Sequence, residues 1–322
     1  MNGKINRDNV KLWIMHSTLL QMALLITGGV AWRIIEPAGL GAEQTRKVLT
    51  TVVYYFFLPA MVLEVLWTAD IGLHSLQYTV LAVVSILFAM LCFWMLGLVF
   101  KFEHRCLGAM MLAAAFPNVT YLGLPVLEQT FGSWARSVVI QIDLFATSPL
   151  LFTLGIAMVR HYGKDSSEVR QPLWSFLNVP PFWAAGLAVL LNLNGLVAPI
   201  WLTGTLKLLS GAVVPLMLFS LGLALSWQAV KVRNIPYIIP VVAIKMILMP
   251  LFALFLVDQL SIDNNYKAAA VLDLAMPSMV LGIVLCDRYQ LDSSLYAMAV
   301  TVTTAFSLIA LPFWYQVLIT RF

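Results

Sequence analysis

Charge is scarce in this chain. Only 11% of its 322 residues are Asp, Glu, Lys or Arg, against 61% hydrophobic. That is too little polar surface to cover a soluble domain of this size, so lipid is the solvent for most of it. Cysteine is rarer still, and Cys92, Cys106 and Cys286 have no metal-ligand spacing and lie in or beside apolar stretches, which reads as packing rather than a zinc or disulfide framework. The four histidines, His16, His74, His104 and His161, form no H-E-x-x-H pattern, and no nucleophile motif accompanies them. A phosphate-binding G-x-x-x-x-G-K-[ST] loop is missing as well, which excludes direct use of ATP. These absences point away from an enzyme and away from any cofactor or metal. The formal charge of +4 does not indicate a nucleic-acid partner, because the basic residues are scattered singly in short loops.

What the chain has is apolar length. Stretches of about 20 or more apolar residues recur from end to end, and in hydrocarbon each must be helical to pair its own backbone groups. The expected class is therefore an all-α integral membrane protein in contact with membrane lipid. Ten spans are predicted, at 10–32, 43–68, 74–100, 106–128, 135–160, 173–194, 200–226, 234–257, 267–286 and 292–319. The first is longer than a signal-peptide core and Trp32-Arg33-Ile34-Ile35 offers no small-residue cleavage site, so it is expected to remain as a helix.

Lysine and arginine sort by side. The loops after the odd-numbered spans hold 11 of them, from Arg33, Arg46 and Lys47 to Arg288, and the opposite side holds 6. The richer side is expected to be cytoplasmic, which leaves both termini on the extracytoplasmic side of a plasma (inner) membrane. The basic residues Lys4, Arg7 and Lys11 pull the other way.

The hydrophilic run 162–171 divides the chain into five spans, residues 1–161, and five more, residues 172–322. Prolines sit at matching places in the two halves. Pro59 to Pro117 is 58 residues and Pro215 to Pro277 is 62; Pro117 to Pro149 is 32 and Pro277 to Pro312 is 35. A repeat with an odd number of spans enters the membrane from the opposite side in its second copy, so the expected architecture is two inverted five-helix repeats. Such a pair has two near-equivalent packings, open to one side or the other, as alternating access requires.

Spans four and nine carry the main anomaly. Ala115-Phe-Pro117-Asn118-Val119-Thr120 and Ala275-Met-Pro277-Ser278 each place a proline near mid-membrane, with a small polar residue after it and a glycine, Gly123 or Gly282, five or six positions on. Proline breaks each helix and frees a carbonyl four residues back, at Ala113 and Asp273. Pro117 then begins a half-helix whose first amides, on Asn118, Val119 and Thr120, are orphan donors at the positive end of a dipole, and these suit an anion. The Asn118 amide adds donors fitting a carboxylate, with Ser278 a weaker equivalent from the other half. Prolines also kink membrane helices for packing alone, but two breaks at equivalent positions favour a binding site at the repeat interface.

Five ionisable residues, Glu64, Asp143, Lys207, Lys245 and Asp273, lie inside predicted spans, where a central charge costs about 2.5–3.5 kcal/mol on insertion scales. One shared cluster is compatible with their depths. Asp143 and Asp273 are open to two readings, a coupling proton site or a structural ion pair with Lys207 or Lys245. Glu64 is expected to reach interfacial water, and Lys245 is also a candidate for attracting the anion.

The run Phe116-Pro-Asn-Val-Thr-Tyr-Leu-Gly-Leu-Pro-Val126 followed by Phe131-Gly132 resembles the span-four signature of the auxin efflux carrier family. Tyr54-Tyr-Phe-Phe-Leu-Pro59, Val214-Pro-Leu-Met-Leu-Phe-Ser-Leu-Gly222, Lys245 with Pro250, Ala275-Met-Pro277 with Arg288-Tyr289, and Ala310-Leu-Pro312 extend the likeness over nearly the whole chain. The resemblance implies ten helices in two inverted repeats, broken helices four and nine crossing at the site, and commonly a homodimer. It places the carboxylate-binding asparagine on Asn118 and a supporting polar group around Gln141 to Asp143. With only a short loop at 162–171, the chain resembles the prokaryotic members. The expected activity is a secondary carrier of a small organic anion; a Na⁺- or H⁺-coupled carrier of a related fold and an anion-binding membrane receptor are the alternatives.

Overall fold

The computed structural model describes residues 7–69, 71–163, 180–225 and 230–322, and side chains from Leu20 onward. Most of the linker expected at 162–171 and the start of predicted span six lie outside the described residues. Among the described residues the chain is helical and forms no strand. In order the helices are α1 Arg7–Ile35, α2 Ala42–Trp67, α3 Leu73–Phe100, α4 His104–Ala115, α5 Leu124–Phe131, α6 Ala135–Tyr162, α7 Pro180–Leu193, α8 Ile200–Ala224, α9 Val232–Val257, α10 Asn264–Leu274, α11 Leu281–Arg288 and α12 Ser293–Arg321. Six of these, α2, α3, α6, α8, α9 and α12, are long and apolar enough to cross a membrane.

Proline shapes the helix interiors in a repeated way. Val53–Phe57, Val119–Gly123, Asp143–Thr147 and Ile244–Leu248 are widened turns, and each ends two residues before a proline: Pro59, Pro125, Pro149 and Pro250. A proline ring inside a helix clashes with the carbonyl four residues back and removes one donor. The helix adapts by letting the amide before proline reach one residue further, as Leu58 does to Val53, Leu124 to Val119, Ser148 to Asp143 and Met249 to Ile244. Widened turns of this kind re-aim the side chains they carry, and here those include Thr120, Asp143 and Lys245.

The helices pack as two groups. α8 lies along α1 and along the length of α2, and α7 packs on the second half of α2. Gly29 and Gly222 face each other where α1 meets α8, and a Cβ on either would collide with the other helix's backbone. The second group joins α3 to α4, α6 and α9, and α12 to α4, α9, α10 and α11. Its centre is small and tightly filled, with Ala113, Ala114, Ala115, Ala269 and Ala270 all fully buried.

Predicted spans four and nine are each two helices with an unwound link. Phe116 is extended at φ −93° and ψ 114° and Asn118 sits at φ −82° and ψ 63°. The two links cross antiparallel at Pro117 and Ser278. Asn118 N–H donates to the Pro277 carbonyl at 2.8 Å and Met279 N–H to the Phe116 carbonyl at 3.1 Å. Each broken helix thereby satisfies part of the other's exposed backbone, which is what permits unwinding away from water.

Candidate functional site

The carbonyls at the end of α4 are the first consequence of the break. Pro117 frees the Ala113 oxygen, and the Ser278 hydroxyl donates to it at 2.7 Å. The Ala115 oxygen accepts from Lys245 Nζ at 3.2 Å, so an amine donor rests at the carbonyl end of a half-helix, where donors are favoured. Lys245 also lies 3.2 Å from the Met249 sulfur and is fully buried.

On the far side of the break the donors are free. Asn118 caps the new half-helix, its carbonyl accepting from Leu122 and Gly123. The backbone amides of Val119, Thr120 and Tyr121 make no hydrogen bond among the described residues, as the first turn of a helix leaves them. The Asn118 side-chain nitrogen is buried and likewise unpaired. A buried donor without a partner costs about 1–3 kcal/mol, so these four groups are held ready for an acceptor.

The residues that carry them, Asn118, Val119, Thr120 and Tyr121, line a cavity of about 310 Å³, with Pro117 and Asp143 also at its polar end. Tyr54, Tyr55, Leu58, Leu151, Phe152, Met217, Met279 and Leu281 make the rest of the wall. Asp143 accepts from the Thr120 hydroxyl and from Ser148 Oγ at 2.9 Å. A polar pole and a long apolar wall suit a small ligand with one charged end.

A second cavity of about 290 Å³ lies at the other ends of α2 and α6, lined by Glu64, His74, Tyr78, Trp134, Arg136, Ser137, Gln141 and Tyr266. Arg136 is held between Glu128 at 2.9 Å and Glu64 at 3.5 Å. Glu64 is on α2, in the first group of helices, while Glu128 and Arg136 flank the turn joining α5 to α6. The Glu64 to Arg136 contact therefore ties one group to the other.

The residues predicted from sequence separate accordingly. Pro117, Asn118, Val119, Thr120 and Asp143 share the first cavity. Gln141, whose amide donates to Ser137 at 2.7 Å, lines the second. Pro277 and Ser278 lie at the crossing but line neither cavity; the Ser278 hydroxyl is turned to Ala113 and its N–H to Thr303. Asp273 is fully buried with neither carboxylate oxygen hydrogen-bonded. Glu64 pairs with Arg136 rather than standing alone toward water. Lys207 is exposed on α8 and apart from the rest, so the five ionisable residues do not form one cluster. No salt bridge joins Asp143 or Asp273 to Lys207 or Lys245 among the described residues.

Comparison with known proteins places nearly the whole chain among membrane transport proteins. A family model described as a membrane transport protein, of the auxin efflux carrier-like kind, matches residues 18–175 and 167–315. The chain belongs to this family. An uncharacterized transporter of Methanothermobacter thermautotrophicus is 30% identical over 311 residues, 94% of this chain and 97% of the relative. One from Methanocaldococcus jannaschii is 29% identical over 291 residues, 87% of this chain and 92% of the relative. The uncharacterized transporter YfdV of Escherichia coli K12 is 26% identical over 223 residues, 68% of this chain and 70% of the relative. The chain is thus a multi-pass protein of a membrane transport family, not an enzyme. What sequence reasoning passed over in this transporter is the Arg136 pair with Glu64 and Glu128, and the four widened turns that precede a proline. The turns had a signal, an X-Pro step inside each apolar span; the ion pairs, spread over residues far apart in the chain, had none.

Proposed function

We propose that the protein is a secondary carrier of a small organic anion, a carboxylate with an apolar body, working by alternating access. The observation that carries this reading is the pole of the first cavity, where the Asn118 amide and three unpaired backbone N–H groups converge at a half-helix N-terminus. Such a pole is complementary to a carboxylate, and the apolar wall gives the rest of the cargo its place.

The ten predicted spans would form two inverted five-helix repeats, with one group of helices as frame and the other carrying the crossing. The first cavity and the second lie at opposite ends of α2 and α6, so a shift of one group against the other exchanges which end reaches the crossing. The Glu64 to Arg136 pair bridges the two groups of helices at the second end. With the basic loops cytoplasmic, the first cavity belongs to the cytoplasmic side and both termini to the outer face of the plasma membrane. Pairing into a homodimer through lipid-facing helices is part of the same proposal.

Asp143 adds the coupling. Two like charges about 6 Å apart at an effective dielectric near 20 repel by roughly 3 kcal/mol, and the cargo carboxylate and Asp143 share one cavity. A proton on Asp143 removes the repulsion, so proton and anion travel together. The test is uptake of labelled carboxylates into proteoliposomes carrying wild-type protein or Asn118→Ala. Flux of one acid that collapses in the variant supports the reading. If no carboxylate moves but Na⁺ or H⁺ does, and Asp143→Asn abolishes that movement, the cargo is the cation instead.

A further inference from the structure

Beside the Asn118 cavity lies a smaller one of about 80 Å³, lined by Arg46, Thr50, Tyr121, Ser220 and Leu281 among others. Thr50, Tyr121 and Leu281 line the larger cavity too, so the two are contiguous. Liquid water takes about 30 Å³ per molecule, so the small cavity has room for a carboxylate group but not for a whole cargo.

Its charge is unusual. Arg46 sits in the second turn of α2, at the end where a helix dipole disfavours a cation. Its side chain is nonetheless only 11% exposed, turned inward against the cavity. The Arg46 guanidinium is engaged by Glu43 through both carboxylate oxygens, Nε at 3.2 Å from one and Nη2 at 2.5 Å from the other. Glu43, however, is 74% exposed, and an ion pair with a partner so open to solvent is weak and exchanges readily. Ser220, which lines the same cavity as Arg46, is 3% exposed and its hydroxyl has no hydrogen-bond partner. A buried, unpaired hydroxyl sharing a cavity with a guanidinium whose counter-ion is open to solvent is what an incoming anion would complete.

We propose that Arg46 and Ser220 form a capture site for the carboxylate of the cargo, from which it passes Thr50 and Tyr121 to the pole at Asn118. The inference rests on the anion-carrier reading and adds the cargo's first anchor. Glu43 then competes with the cargo for Arg46.

The test is the concentration dependence of uptake in proteoliposomes, using the carboxylate that the wild type moves, for Arg46→Gln, Ser220→Ala and Glu43→Gln. Losing a charge-assisted contact raises KM about tenfold in Arg46→Gln, with the maximal rate within about twofold because the Asn118 pole is intact. Ser220→Ala raises KM less, and Glu43→Gln lowers it by freeing Arg46. A merely structural Arg46 would lower the amount of folded carrier and the maximal rate instead, with KM unchanged, and would overturn the capture site. Should Arg46→Gln fail to fold, Glu43→Gln decides alone: an unchanged or raised KM refutes the competition. Wild-type flux with KM insensitive to all three variants sinks the capture site and leaves the carrier standing, whereas absence of carboxylate flux in the wild type sinks both.

Discussion

Gly123→Ala tests the packing at the crossing with a single methyl group. Gly123 has ordinary helical dihedrals, φ −60° and ψ −50°, so alanine meets no backbone strain there. A Cβ would, however, overlap Asp273 Oδ1 and stand 3.3 Å from Met276 Cγ and 3.5 Å from Asp273 Cγ. Asp273 is fully buried, so its carboxylate must shift within a packed interior. Overpacking of this kind costs about 1–3 kcal/mol, and reduced freedom of the unfolded chain returns about 0.4–1 kcal/mol. The expected net loss is roughly 1–2 kcal/mol, read by equilibrium unfolding in mixed detergent micelles. The control is Asp273→Ala, which removes the obstructing oxygen; in that background the Gly123→Ala cost should vanish, giving a coupling of about 1–3 kcal/mol. Costs that add within about 0.3–0.5 kcal/mol would mean that the carboxylate does not press on Gly123 and that the crossing is packed differently.

Three further outcomes follow from particular contacts. Asp143→Asn should leave carboxylate uptake measurable but remove its response to an imposed pH gradient, since the amide oxygen still accepts from one of the Thr120 and Ser148 hydroxyls and its nitrogen donates to the other once that hydroxyl turns, without taking a proton; a gradient response equal to wild type would free Asp143 of that role. Arg136→Gln strands Glu64 and Glu128, each largely buried, and should cost about 1–3 kcal/mol in unfolding experiments, while Arg136→Gln with Glu64→Gln costs less than Arg136→Gln alone; an additive pair would contradict the interlock. Asn192→Ala removes one amide nitrogen that donates to the carbonyls of Leu66, Trp67 and Ala69 at 3.2, 2.8 and 2.8 Å, closing the end of α2. A stability loss of about 1–3 kcal/mol is expected, and none would show that water caps that helix end equally well.

Much of this was legible because proline and glycine act locally. Pro117 and Pro277 marked the two breaks, and the glycines after them mark close approach: Gly123 to Asp273, and Gly282 to the ring of Tyr296, whose hydroxyl is held on the Met279 carbonyl at 2.8 Å. The partners of the freed groups were not legible, because they are set by helices distant in sequence. Nothing in Ala275-Met-Pro-Ser278 says that the serine hydroxyl turns back to Ala113 instead of facing a ligand. Gln141 and Asp143 were read as one polar patch, yet residues two apart on a helix differ by about 200° around its axis, and they line different cavities. Depth alone could not tell that Lys207 faces outward on α8 while Lys245 faces the crossing; the widened turn before Pro250 is what sets the local direction at Lys245.

The measurement that bears most directly on alternating access is reciprocal accessibility. Cysteine is placed either at Thr51, on the first cavity, or at Ser137, on the second, in a background with Cys92, Cys106 and Cys286 replaced. Labelling by a hydrophilic maleimide is followed with and without a saturating carboxylate that the protein moves. A carrier that exchanges its two openings around the crossing predicts that the ligand changes the two labelling rates in opposite senses. Rates that fall together, or that change at Thr51→Cys alone, would describe a protein that binds its anion from one side without carrying it across.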